Sequence, residues 1–273
     1  MSRGVREGEA PPAPEPLAVA VADSHCHLDI MGGDVAEQLE AARSVGIDTV
    51  VQIGVDVPSS RVSAALAADH ESVWAAVAMH PNEAGRGIAT AAALEQIALL
   101  ARLPQVRAVG ETGLDHFRTA PEGQGMQELS FRAHIQIAKD VGKALVIHDR
   151  DAHDDVLRVL AEEGAPETVV FHCYSGDAAM ARMCADAGYY LSFAGPVTFK
   201  PNDDLREAAA VCPADRLLVE TDAPFLTPMP FRGRPNAPYL VPLTVRALAL
   251  ARSQDLDELC GQIAANGRRA FSF

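Results

Sequence analysis

The stretch Asp23-Ser24-His25-Cys26-His27-Leu28-Asp29 sets two imidazoles two residues apart. It follows a short apolar run, 17–22, that reads as a buried strand. Side chains alternate faces along a strand, so His25 and His27 point the same way and can share a metal ion. A lone His-x-His is a weak signal. It gains weight because ligand-type residues recur at the ends of later apolar runs. His80 follows 73–79, Glu111 follows 106–110, His148 follows 144–147, His172 follows 169–171 and Asp222 closes the run at 216–219. Three or four histidines with two carboxylates suit borderline divalent ions such as Zn²⁺ or Mn²⁺. One ion needs fewer ligands than that. Two ions about 3.5–4 Å apart, bridged by a carboxylate, are the natural arrangement, able to generate hydroxide at neutral pH and to stabilise both attacking and leaving oxygens.

The elements that must position these residues alternate strictly. Strands are expected at 17–22, 48–54, 73–79, 106–110, 144–147, 169–171, 189–193 and 216–219. Helices are expected between them at 35–45, 58–68, 90–103, 124–141, 151–163, 177–187 and 202–211, with Gly46, Gly142 and Gly164 as C-terminal stops and Asp151 as an N-cap. A Pro-rich loop, 223–238, leads to two further helices at 239–251 and 256–265. Strict alternation implies parallel strands with crossover helices. Eight such units make the fold class α/β, a single-domain (β/α)₈ TIM barrel, with the metal site at the C-terminal ends of the strands and all candidates in one mouth. No GxGxxG follows the first strand, which removes the main support for a dinucleotide-binding sheet.

Composition narrows the class further. The chain has 273 residues, 48% of them hydrophobic, which suits one large core. No apolar run approaches the roughly 18 residues of a membrane helix. Residues 1–16 mix charge, Gly and four Pro without the apolar stretch of a secretory signal, and read as a disordered Pro-rich tail on a cytoplasmic protein. The five cysteines are scattered and form no CxxC, as in a reduced compartment; Cys26 and Cys173, beside candidate ligands, read as small core residues on the opposite face. A net charge of −14 argues against a broad nucleic-acid surface while leaving room for a substrate gripped locally by metals and a few cations.

Taken together, Asp23 to Asp29, Gly110-Glu111-Thr112-Gly113-Leu114-Asp115, His148-Asp149-Arg150-Asp151-Ala152, His172-Cys173-Tyr174-Ser175-Gly176 and Glu220-Thr221-Asp222-Ala223-Pro224-Phe225-Leu226 resemble the TatD family of metal-dependent hydrolases, of the amidohydrolase-like barrel type. The motifs come in family order and cover the chain from about Val21 onward, so the resemblance assigns 17–273 to the barrel. It implies a metal-dependent deoxyribonuclease of 3′–5′ exonuclease type, a hydrolase acting on ester bonds. It also implies two divalent ions (Zn, Mn or Mg): His25 and His27 on the first, His148 and His172 on the second, Glu111 bridging both, and Asp222 on the first and accepting the proton of the attacking water. Asp222 and Glu111 are thus the catalytic carboxylates. Two departures are that His116-Phe117 stands where the family often has two aromatics, and that Asp149 follows His148 where a small polar residue is common.

Other residues have two readings each. His80, held extended by Pro81, either touches the substrate phosphate or packs at the barrel rim. Arg150 offers a fork for phosphate or a partner for Glu220. Arg232 reads as a substrate contact; Lys200 and Arg234 read more weakly so, against ordinary solvated charge. Asp29, Asp115 and Asp151 either orient ligand histidines or serve turns and caps. Asn236 can order its loop through backbone hydrogen bonds. His70, His116, His134 and His153 read as surface histidines, Trp74 as core, and no aromatic platform for single strands is evident. The expected partner is a short or single-stranded DNA end, with no membrane, and the protein is read as a monomer. The rivals are an enzyme cleaving a small amide, lactone or carboxylic ester on the same metals, and a non-catalytic metal- or partner-binding protein.

Overall fold

The computed structural model describes residues 8–273. Eight strands alternate with helices: β1 (Val21–Cys26), β2 (Ile47–Ile53), β3 (Val73–Val77), β4 (Val106–Asp115), β5 (Ala144–Arg150), β6 (Val169–Phe171), β7 (Tyr190–Phe193) and β8 (Leu217–Val219). They form one sheet in sequential order from β1 to β8. Cys26 and Ala223 form a parallel bridge, so the segment after β8 runs beside β1. This is the (β/α)₈ arrangement of a TIM barrel. No helix among the described residues is long and apolar enough to cross a membrane.

The helices are α1 (Leu28–Met31), α2 (Val35–Ser44), α3 (Val57–Asp69), α4 (Pro81–Gly85), α5 (Ala91–Leu100), α6 (Pro121–Val141), α7 (His153–Glu163), α8 (Ala178–Asp186), α9 (Asp203–Val211), α10 (Val241–Arg252) and α11 (Leu256–Phe271). Local chemistry sets many of their ends. Asp56 and Ser59 close a reciprocal capping box on α3, and Asp34, Thr90 and Asp177 cap α2, α5 and α8 through backbone N–H groups. Gly142, left-handed at φ 63°, ends α6. Asp151 does not cap α7: the capping position is Ala152, without a side-chain bond, and Asp151 is itself left-handed at φ 55°.

The chain clusters into two compact units. One comprises the chain up to Val51 with Gly176–Ala187 and Leu191–Arg269; the other comprises Gln52–Ser175, Gly188–Tyr190 and Ala270–Phe273. In the first, β7 pairs with β8 from Leu191↔Leu217 to Phe193↔Val219. Residues 8–16 of this unit have no helix or strand, yet they are fastened. Arg234 donates to the carbonyls of Glu9 and Ala10, Tyr239 to that of Pro11 and Arg246 to that of Pro16. The composition that reads as a free tail is therefore corrected for these residues; residues 1–7 of that reading lie outside the described residues. The anchors of residues 9–16 are arginine and tyrosine side chains far along the chain, which composition cannot reveal.

In the second unit β3, β4, β5 and β6 pair in parallel. The β4–β5 ladder slips between Val109 and Thr112, then runs on as Thr112↔Ile147, Gly113↔His148, Leu114↔Asp149 and Asp115↔Arg150. Two glycines permit that close approach. A Cβ at Gly110 would meet Val146 Cβ at 2.5 Å, and one at Gly113, where φ is +130°, would meet the His148 carbonyl oxygen at 2.2 Å. Trp74 is half-buried rather than core, with the Arg107 guanidinium 4.2 Å from its ring.

β5 runs three residues past Ile147, to Arg150. Two further strands differ from the expectation by four residues or more. Leu17 to Ala20 is a lead-in, bonded through Leu17 N–H to the Val45 carbonyl, and β1 begins only at Val21. β4 runs five residues past Gly110, to Asp115. In both, the strand contains polar residues that hydropathy assigns to the loop, and the structure buries them.

Candidate metal centre

In the first unit, β1 carries His25 and α1 begins immediately after His27. Asp222 is brought to them by two backbone bonds, Asp222 N–H to the His25 carbonyl at 2.9 Å and His27 N–H to the Ala223 carbonyl at 2.8 Å. Asp222 Oδ1 lies 3.8 Å from His25 Nε2 and 3.5 Å from His27 Nε2. One ligand atom from each of the three lies within 4.8 Å of the others. Both rings are buried, and they meet edge-on with centroids 5.2 Å apart.

Asp23 holds this arrangement. Its Oδ1 accepts from Thr221 N–H at 2.9 Å and His25 N–H at 3.3 Å, and its Oδ2 accepts from the Thr221 hydroxyl at 2.5 Å. Complete burial pushes its carboxyl up to about 7, against the Thr221 hydrogen bonds that lower it. The sequence reading left Asp23 unassigned. The signal was present: it lies two residues before His25, on the same face of the strand. Asn236 also ties the segment together, donating to the Thr221 carbonyl at 2.9 Å and to that of Phe225 while Ala237 N–H donates to its Oδ1.

In the second unit the ligands come from different strand ends. Glu111 in β4 is the centre. Its Oε1 lies 3.3 Å from His80 Nε2, and its Oε2 lies 2.8 Å from His172 Nε2 and 3.7 Å from His148 Nδ1. His80 Nδ1 lies 3.0 Å from the Asn82 N–H, which caps α4 and turns Nε2 toward Glu111. Behind His148, Nε2 faces Asp115 Oδ2 at 3.3 Å, so Nδ1 is the atom turned to Glu111. Asp115 therefore orients a candidate ligand, one of its two expected roles. Asp151, by contrast, is exposed ahead of α7.

Burial alone would raise the Glu111 carboxyl, but the charges of His80 and His172 and bonds from His148 and His172 hold it well below the usual range. Asp115 likewise falls to about 2, because bonds from His148 and the Arg118 N–H outweigh burial. His148 is raised: burial disfavours its charge, but bonds to Asp115 and Glu111 favour it more. Each cluster is a compact set of imidazole and carboxylate donors, and both sets fit a borderline divalent ion. Metal binding there must displace protons from the imidazoles.

The remaining candidates are dispersed. His80 belongs with Glu111 rather than at a rim. Arg150 lies over the Phe117 ring at 4.1 Å, and Arg232, exposed, lies over Phe199 at 4.4 Å. Arg234 serves the N-terminal segment, and Lys200 is exposed. His70, His116 and His153 are partly exposed, but His134 is not a surface histidine; it is fully buried. Its Nε2 accepts the Met79 N–H at 3.0 Å and its Nδ1–H donates to the Ser130 carbonyl at 2.7 Å. The α6 stripe Phe131, His134, Ile135, Ala138 carries that information. Cys26 is core as expected, while Cys173 is only partly buried. Phe117 is exposed beside Arg150.

A family model described as TatD related DNase matches residues 22–272. An uncharacterized metal-dependent hydrolase TatD of Mycobacterium tuberculosis is 44% identical over 257 residues, covering 91% of this chain and 97% of that one. A protein of Klebsiella pneumoniae named 3′-5′ ssDNA/RNA exonuclease TatD is 33% identical over 245 residues, covering 87% and 92%. Among solved structures, a TatD homolog of Escherichia coli superposes with a TM-score of 0.87 at 28% identity, covering 93% of this chain and 98% of that one. Fold and donor sets define a metal-dependent hydrolase on a (β/α)₈ barrel. The chain belongs to the TatD-related DNase family.

Proposed function

We propose that the protein is a two-ion phosphodiesterase acting on nucleic-acid ends, a deoxyribonuclease of 3′–5′ exonuclease type. The observation that carries this reading is the presence of two donor sets, His25/His27/Asp222 in one unit and His80/Glu111/His148 with His172 on Glu111 in the other. A relative one-third identical, named as an exonuclease on single-stranded DNA and RNA, supports the choice of substrate.

Bound divalent ions supply Lewis acidity and a water of lowered pKa. The chain's own groups do the rest. His25 and His27 would hold the first ion through neutral imidazole nitrogens. In this reading Asp222, whose Oδ1 lies 3.8 and 3.5 Å from the His25 and His27 Nε2 atoms, takes the proton of an attacking water. Glu111 acts as a carboxylate, the form a metal ligand must take. Asp115 keeps the His148 ring in one orientation. Arg232 offers a cation for substrate phosphate.

The test is turnover of metal-stripped protein re-supplied with Mg²⁺, Mn²⁺ or Zn²⁺, on a labelled single-stranded oligonucleotide and on a panel of lactones, amides and carboxylic esters. The expected result is metal-restored shortening from the 3′ end that His25→Ala abolishes. Turnover of a lactone, amide or ester without shortening would keep the site and replace the substrate.

A further inference from the structure

Just past the Glu111 cluster, β4 and β5 end in an aromatic ring held open to solvent. Phe117 is 63% exposed, and the Arg150 guanidinium covers it at 4.1 Å from the ring centroid. Neither placement is loose. Asp115 and Arg150 are partners at the last rung of the ladder, and His116 N–H donates to the Arg150 carbonyl at 2.9 Å. Asp115 is itself fixed, accepting the Arg118 N–H at 2.8 Å and donating its own N–H to Gln127 Oε1 at 3.1 Å. Phe117 follows Asp115 by two residues and Arg150 follows His148 by two. Two strand residues span on the order of 7 Å, so the ring and the guanidinium stand close behind the histidine that faces Glu111.

Ordinary surface chemistry would pair Arg150 with a carboxylate, and several are near in the chain. Asp151 and Asp154 are exposed, Asp155 faces His116 at 3.9 Å, and Asp149 is taken by His153 Nδ1 at 2.7 Å. The guanidinium lies on the ring instead. A flat cation on a flat ring presents a π-surface, and the acids around it disfavour a phosphate there. Nucleobases stack on such aromatic and guanidinium faces whatever their identity.

We propose that Phe117 and Arg150 form a stacking platform for the nucleobase beside the phosphodiester held at the Glu111 cluster. The substrate is then a single-stranded or frayed end, since a base within a duplex has no free face. This rests on the phosphodiesterase reading and adds the feature that recognises the base.

The experiment compares two 3′-labelled single-stranded oligonucleotides with the same backbone, one normal and one with tetrahydrofuran abasic units at its 3′ end. Wild-type protein is expected to favour the normal strand in kcat/KM by about tenfold, within the range that loss of one stacked base produces. Phe117→Ala should bring that ratio close to one, mainly through KM. Phe117→Trp should restore it, and Phe117→Leu, apolar but without a π-face, should not. Equal wild-type rates on the two strands, an unchanged ratio in Phe117→Ala, or rescue by Leu as good as by Trp would overturn the platform and leave the phosphodiesterase standing. Cleavage of neither strand would remove the phosphodiesterase reading, and the platform with it.

Discussion

The two clusters reach similar donor sets by different construction. His25 and His27 lie two residues apart, and their third partner arrives through two backbone bonds between adjacent segments. One buried carboxylate, Asp23, braces that junction. The Glu111 cluster draws on four separate strand ends, and two of its three imidazoles are oriented by partners outside it: Asn82 N–H on His80, Asp115 on His148. A motif written into one strand needs little support. A site gathered across β3, β4, β5 and β6 needs braces of its own, and those braces are where it can be weakened selectively.

The largest effect is expected at Asp222. Asp222→Asn preserves shape but removes the proton acceptor, so turnover should fall on the order of 10²–10⁴-fold. Steady-state kinetics on an oligonucleotide checks this, and a loss below tenfold would reassign the proton to another group. Next is Asp115→Asn, which removes the negative partner of His148 without touching a ligand. Affinity for one ion should drop about 10–100-fold while the other stays as it was, read by metal titration. Equal weakening of both ions would show that the clusters do not bind independently.

A subtler effect comes from His134, which braces the strand end ahead of His80 through the Met79 N–H. Burial lowers its pKa to about 4. Protonation at Nε2 would cost that bond, so the folded protein stays neutral at a pH where the unfolded chain, titrating near 6.5, takes a proton. The resulting stability is fully present above pH 6.5 and is lost as pH falls toward 4, by about 2 kcal/mol at pH 5. Denaturant unfolding of His134→Gln across that window should show a flatter acid limb than wild type. An unchanged limb would place the acid sensitivity elsewhere.

Much of this was legible in the sequence, for identifiable reasons. Apolar runs such as Val169–Phe171 end where their ligands begin, so the strand-end rule pointed to His148 and His172, which lie beside Glu111. It misplaced β1 and the end of β4 because a site buries polar residues inside strands, and hydropathy reads Asp23, Ser24 and Glu111 as loop. Ser24 is satisfied by the Ser192 hydroxyl at 2.8 Å, a partner far away in the chain. His134 was missed by weighing residue type above position on the α6 stripe. Asp151 was misread as a cap because a carboxylate before a helix satisfies the statistics of capping, whereas its left-handed backbone is a tertiary outcome. The anchoring of residues 8–16 depends on Arg234, Tyr239 and Arg246, which no local pattern connects to that segment.

Metal stoichiometry tests the central claim most directly. Calorimetric titration of stripped protein with Zn²⁺ or Mn²⁺ should give two ions per chain. The double variant His25→Ala/His27→Ala should bind one, and so should His148→Ala/His172→Ala, each retaining its circular dichroism. One ion per wild-type chain, or two in both double variants, would contradict a site built from two clusters.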